Sequence, residues 1–304
     1  MNKNAAIGSL LVLAVLVGAV EGRSSIPGEK FGLKISAGCG FSGFGDLNRT
    51  EKGHDARLGD LASSLGFRKT GQLALPHRGL DSSGEIVLRI SRPLEIGVGL
   101  GFLSRANSHS LVAIEEPSSG AQSSVRWTTR AWAIPLLLNA YYHVPISPRL
   151  SGFVKAGLGY YFANLKLTSE EEEELLGVET WSQIISKGRD DALGCQAGLG
   201  IKYGISGRFS LHAEGGWRFV NFKNWSVTYD DPSSSQRDAT RTATWWSVEE
   251  LNRDSGKSYS GLVCSDREPT AAVYGKVRKA EINFSGWTIQ LGLKIRLGKS
   301  RIGG

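Results

Sequence analysis

Between Trp287 and Leu297 every odd position is apolar (Trp287, Ile289, Leu291, Leu293, Ile295, Leu297) and every even position is polar or glycine. Strict alternation over this length predicts a β-strand with one oily face and one wet face. The same period recurs along the chain. Phe31, Leu33, Ile35, Ala37, Cys39 and Phe41 form one apolar row, Ile86, Leu88 and Ile90 a second, and Leu94 to Phe102 a third. Further rows run through Trp132–Tyr142, Val154–Phe162, Leu193–Tyr203 and Phe209–Phe219. Most of these predicted strands are near the ~10 residues with which a tilted strand crosses a bilayer.

Short turns at Ser91–Pro93, Val144–Arg149 and Ile205–Gly207 alternate with long polar segments at 42–83, 105–126, 165–190 and 221–279. That asymmetry is the one expected of a barrel with short periplasmic turns and long external loops. Within the long segments, Asp55–Leu65 and Glu170–Leu175 predict short helices. Thr240–Val248 and Tyr259–Cys264 fit two readings: a hairpin that extends the barrel above the membrane, or a surface for adhesion or ligand capture. Trp225, Trp245 and Trp246 lie in this region and are costly to expose unless packed or covered by a partner. If the first strand starts in the periplasm, the aromatics of the apolar faces sort into two belts. Phe41, Phe102, Trp132, Tyr160, Phe162, Trp217, Phe219 and Trp287 fall at the external ends, and Phe31, Tyr142, Tyr203 and Phe209 at the periplasmic ends. The predicted fold is all-β: an eight-stranded antiparallel up-and-down transmembrane β-barrel over residues 30–298. A soluble barrel such as a lipocalin would instead turn its apolar face inward.

Phe31–Gly38, Ile134–Tyr142 and Phe284–Leu297 resemble the eight-stranded bacterial outer-membrane barrels of the OmpA and OmpX type. The last stretch is also similar to the C-terminal assembly signal of outer-membrane barrels, with Gln290, Gly292, Ile295 and Leu297 at its defining positions. The bulky places are aliphatic here rather than aromatic. The resemblance implies the bacterial outer membrane as location. It implies outer-membrane lipid, lipopolysaccharide and the barrel-assembly machinery as partners, with an extracellular ligand at the loops as a further expectation.

Composition sharpens this picture without adding chemistry. The chain of 304 residues carries 39 Gly and a single Met, a balance unlike that of a helical enzyme. Residues 1–22 join a short basic start to an apolar centre and a small-residue exit, which fits a secretory signal; an N-terminal membrane anchor is the alternative. The net charge of +7 is spread along the chain without a basic run, which argues against nucleic acid as a partner. Cys39, Cys195 and Cys264 are too far apart for a disulfide framework or a zinc motif.

The wet faces bring together Lys34, Arg89, Glu95, Lys155, Lys202, His212, Glu214, Arg218, Lys294 and Arg296. Eight strands enclose a space that side chains alone fill, so these residues are expected to form an ion-paired plug. Glu95 is placed to reach Lys34, Arg89, Lys294 or Arg296, and Glu214 to reach Arg218 or Lys155. A gated or narrow basic passage is the functional alternative. His54, His77, His109, His143 and His212 show no paired metal spacing, so no catalytic, cofactor or metal residue is assigned. A lipid-modifying enzyme would rest on His212. Gly38–Gly43 fits a G-x-G-x-x-G pattern but is expected to be a strand running into a loop, with no helix after it.

Overall fold

The computed structural model describes residues 31–73, 77–118, 121–175, 178–230, 241–251, 256–270 and 274–297. The predicted signal at 1–22 and the tail at 299–304 lie outside them. Eight strands build the barrel: β1 (Phe31–Phe41), β2 (Arg78–Arg89), β3 (Leu94–Glu115), β4 (Gln122–Pro145), β5 (Leu150–Leu175), β6 (Val178–Gly204), β7 (Phe209–Phe219) and β8 (Gly286–Leu297). Each pairs antiparallel with its chain neighbour. β8 then pairs with β1, Phe31 facing Leu297 and Lys34 facing Lys294. Together with the β6–β7 and β7–β8 ladders, that seam closes the ring without a free edge.

The alternation sorts as a membrane barrel requires. Outward rows stay exposed although they are apolar, with Leu193 77%, Leu199 67% and Leu291 66% accessible, while Lys34, Glu95, Glu214 and Lys294 are buried inside. In water such a surface would aggregate; against hydrocarbon it is matched. Both aromatic belts are present. Phe41 stacks on Trp287 at 3.9 Å between ring centres, and Phe102–Trp132, Tyr160–Phe162 and Trp217–Phe219 are neighbouring pairs of the external belt. Phe31, Tyr142, Tyr203 and Phe209 stand exposed near the short turns.

The wall is uneven in height. β3 to β6 run 22, 24, 26 and 27 residues, whereas β7, β8, β1 and β2 run only 11 or 12. At about 3.3 Å per residue, β5 is about 85 Å long, far more than a bilayer needs. The tall side therefore stands above the membrane as a curved screen. Its top continues through the strands Ser226–Asp230, Arg241–Leu251 and Ser258–Ser265, joined edge to edge to β6.

Above the membrane the fold departs from the pattern expected of the sequence. Residues 105–126 and 165–190 are not loops but largely strand extensions, and Glu170–Leu175 is strand rather than helix. Cross-strand partners decide this: Glu170 sits opposite Arg126 and Gln183 and bonds to both. The helix expected at Asp55–Leu65 starts nine residues earlier and spans Asp46–Leu65 (α1). A helix thus does follow Gly38–Gly43. The carboxylate of its first residue, Asp46, accepts from the Glu281 backbone N–H at 2.7 Å and from Arg278 at 2.5 Å, which ties the helix start to the segment before β8. Of the pair expected at Thr240–Val248 and Tyr259–Cys264, Thr240 lies outside the described residues; the strands Arg241–Leu251 and Ser258–Ser265 pair antiparallel, as the hairpin reading requires.

Glycine makes room for the side chains that fill the lumen. A side chain at Gly188 would fall 2.4 Å from the ring of Trp245, and at Gly97 2.5 Å from the carboxylate of Glu85. At Gly38 the obstacle is backbone: a Cβ would lie 1.9 Å from the Ile289 carbonyl across the β1–β8 seam. Gly38→Ala is therefore expected to cost about 1–3 kcal/mol. Gly84→Ala, which meets open space, is expected to change stability by less than about 0.5 kcal/mol. Urea titration of the protein refolded in detergent micelles measures both.

Candidate functional site

The lumen holds two layers of different chemistry. The lower layer, toward the short turns, is ionic. Glu214 accepts from Lys34 at 2.6 Å and from Lys155 at 3.0 Å. Lys34 also donates to the Tyr141 hydroxyl at 3.1 Å, and that hydroxyl donates to Glu85 at 2.6 Å. Nearer the turns, Glu95 gathers Lys294 at 2.5 Å, His143 at 2.8 Å and Arg89 at 3.3 Å. Higher up, Arg218 pairs with Asp81 at 3.3 Å and donates to the Phe284 carbonyl.

Several expected contacts are thereby re-sorted. Glu95 does take Arg89 and Lys294, but Lys34 goes to Glu214, and Arg296 reaches the Gly207 carbonyl in the β6–β7 turn instead. Glu214 takes Lys155, while Arg218 turns to Asp81. Lumen contacts join side chains at one height across the barrel, and Arg218 lies four residues from Glu214 on the same strand, two same-face rows further out, where Asp81 meets it. Lys202 is half-buried and lines the same region as Glu95. Asp81 and Glu85 complete the network, although the apolar row that signals β2 begins only at Ile86. Tyr141 and His143 sit on the wet face of β4, alternating with the apolar row that ends at Tyr142.

Ser36 and His212 lie 2.9 Å apart within this layer. A hydroxyl beside an imidazole is the start of a nucleophile–base arrangement, which also needs an orienting group on the other ring nitrogen. Here Nδ1 of His212 is buried without a partner. The pair faces the lumen, and the cavity that His212 lines there measures about 10 Å³. That admits roughly one water and no substrate.

The upper layer is apolar. Inward residues of the tall wall (Leu103, Ala131, Ala133, Tyr161, Leu165) meet Phe222, Trp225, Trp245, Ile282 and Phe284 from the segments that leave the short side. Trp225 and Trp245 are 1% and 2% exposed and lie 5.5 Å apart. Packing, rather than an external partner, meets their cost. Truncating a buried Trp of this kind costs about 3–5 kcal/mol, so the layer is a firm closure.

Helix α1 roofs this layer. Its Gly53 presses on the Ser260 backbone, where a Cβ would meet the carbonyl at 2.3 Å. Asp60 accepts from Lys257 and Tyr259, and Arg57 pairs with Glu250 at 2.7 Å. On the opposite face His54 stacks on Trp127 of β4. Between these contacts Glu51 is buried, with Thr129 at 3.5 Å its hydrogen-bond partner and its second oxygen unpartnered. Burial raises its carboxyl from the ordinary 4.5 to about 7.

That shift has a definite sign. The docked lid keeps the proton on Glu51 after the undocked segment has lost it. Docking is strongest below about pH 4.5, weakens as the pH rises toward about 7, and levels off above. The loss from pH 5 to 8 is on the order of 2–3 kcal/mol. Amide exchange of α1, corrected for intrinsic rates, should show its opening free energy falling by that amount, and Glu51→Gln should abolish the slope.

No family model and no curated protein sequence matches the chain. Solved structures do. A major outer membrane protein of Thermus thermophilus is similar at 15% identity and a TM-score of 0.41, over 88% of this chain and 99% of that one. Neisserial surface protein A is similar at 11% identity and a TM-score of 0.35, over 90% and 100%. The outer membrane protein OprG of Pseudomonas aeruginosa is similar at 9% identity and a TM-score of 0.37, over 89% and 98%. The architecture stands on this chain's own ladders. A ring closed by β8 on β1, an exposed apolar band between two aromatic belts, and a charged lumen make it an eight-stranded transmembrane β-barrel.

Proposed function

We propose that the protein is a non-conducting outer-membrane barrel, a structural anchor that displays a folded external lid for envelope integrity or adhesion. One observation carries the reading: the lumen is filled along its length, by ion pairs below and by the Trp225–Trp245 layer above. A narrow channel or a hydrophobic-ligand conduit needs a continuous path, which these two layers oppose. A barrel enzyme acting on lipid needs its reacting pair on the lipid side, whereas Ser36 and His212 face inward.

Display is supported by the way the lid is held. Ion pairs from α1 to the hairpin and from Asp46 to Arg278 fix the outer surface in one arrangement. In this reading Gln290, Gly292, Ile295 and Leu297 are the segment engaged by the assembly machinery before closure. In the finished barrel Gln290 is buried in the lumen and Leu297 is exposed toward lipid.

The expected result in planar bilayers is insertion without stable single-channel steps. A reproducible open conductance in the unmodified protein would sink the anchor reading in favour of the channel.

A further inference from the structure

We propose that the outer wall of β4, β5 and β6 carries a binding site for the phosphate groups of a membrane glycolipid, held by Arg130, Lys166 and Lys187. The inference rests on the outer-membrane reading above.

Register places the three cations in one row. Arg130 is directly opposite Lys166, and Lys166 directly opposite Lys187. Opposed residues have Cβ atoms about 5 Å apart, and like charges so placed repel. The row is not neutralised by its own surroundings. Two rows further out, Glu170 already accepts from Arg126 at 3.4 Å and Gln183 at 2.9 Å. One row nearer the membrane, Arg189 adds a fourth cation opposite Asn164. Beyond it, Asp191 accepts from the Tyr160 hydroxyl. Among the described residues no carboxylate forms an ion pair with Arg130, Lys166 or Lys187. A cleft of about 340 Å³ opens against Arg130 and Lys166, with the paired Arg126 and Glu170 on its outer side and Lys187 beyond its lining.

A self-repelling row of this kind is stabilised by an anion that accepts from several donors at once. A phosphate does this with short charge-assisted hydrogen bonds.

Height on the wall identifies the carrier. On the same outward face, the row below holds Trp132 with Asn164 and Arg189, the next Ile134 and Phe162 with Asp191, and the third Leu136, Tyr160 and Leu193. Successive rows are about 7 Å apart. The cations therefore sit one step outside the external aromatic belt, where headgroup phosphates lie, with the apolar side chains of β4 and β5 beneath for acyl chains. A soluble polyanion would use the row and leave the wall idle; a phosphorylated lipid uses both.

The test is lipid binding by the full-length protein in dodecyl-maltoside micelles, read by native mass spectrometry. The probes are diphosphoryl lipid A, its monophosphoryl form and inorganic pyrophosphate. Diphosphoryl lipid A should bind at least about tenfold more tightly to the wild type than to R130Q/K166Q/K187Q, and more tightly than the monophosphoryl form. The control R149Q/R208Q, which removes charge from the exposed short turns, should bind as the wild type does. Equal binding by wild type and triple variant overturns the proposal. So does displacement of the lipid by equimolar pyrophosphate, which would mark a free-phosphate site. Should the triple variant fail to fold, salt dependence decides in the wild type. Binding must fall steeply between about 50 mM and about 500 mM salt, and a flat profile overturns the site. Circular dichroism separates the two readings: lost discrimination with an intact β-spectrum refutes this site alone, whereas a wild type without that spectrum refutes the barrel.

Discussion

The β8–β1 seam is the constraint on which everything else depends. Once Phe31 is paired with Leu297 and Gly38 with Gln290, the ladder has no free edge and the wall can sit in hydrocarbon. Closure also fixes what lies inside. Eight strands leave a lumen too narrow for water to solvate its charges freely, so each buried charge must find a counter-charge within reach. Glu214 and Glu95 serve as the two nodes, each drawing in basic groups from different strands. Removing one partner of such a node would leave an uncompensated charge, a change that typically costs about 3–5 kcal/mol.

The second consequence of closure is the uneven rim. Four long strands form a screen whose inward face is apolar near the membrane, with Ala131, Ala133 and Leu165 buried there. That face cannot stay open to water. The segments rising from the short side cover it with Phe222, Trp225, Trp245 and Phe284, and α1 closes over them. Glu51 is the exception to a well-matched lid: a buried carboxyl that meets no cation among the described residues, pushed up to about 7 and so making the dock pH-dependent.

How much of this was legible in the sequence follows from where one face differs from the other. In the membrane, lipid lies outside and charge inside, so period two is sharp, and β1, β4, β8 and the seam between first and last strand can be read directly. Above the membrane both faces of a strand meet water or polar neighbours, and the contrast fades. Residues 105–126 and 165–190 accordingly look like loops, and the run Glu170–Glu174 looks helical by propensity until Arg126 and Gln183 are seen opposite Glu170. The first half of α1 was hidden for a related reason. It docks through Asp46, Glu51 and Gly53 rather than through an apolar stripe. Asp81 and Glu85 were missed because β2 announces itself only at Ile86, after its polar, glycine-containing start. The basic row of Arg130, Lys166 and Lys187 is invisible in one dimension, since each residue is separated from the next by a hairpin.

Heat-modifiable electrophoresis on isolated outer membranes asks most directly whether the ring is closed. An unboiled sample should migrate apart from the boiled one, because a sealed ladder of backbone hydrogen bonds resists detergent until heated. A single band at one position before and after boiling, from the same membranes, would contradict a closed barrel.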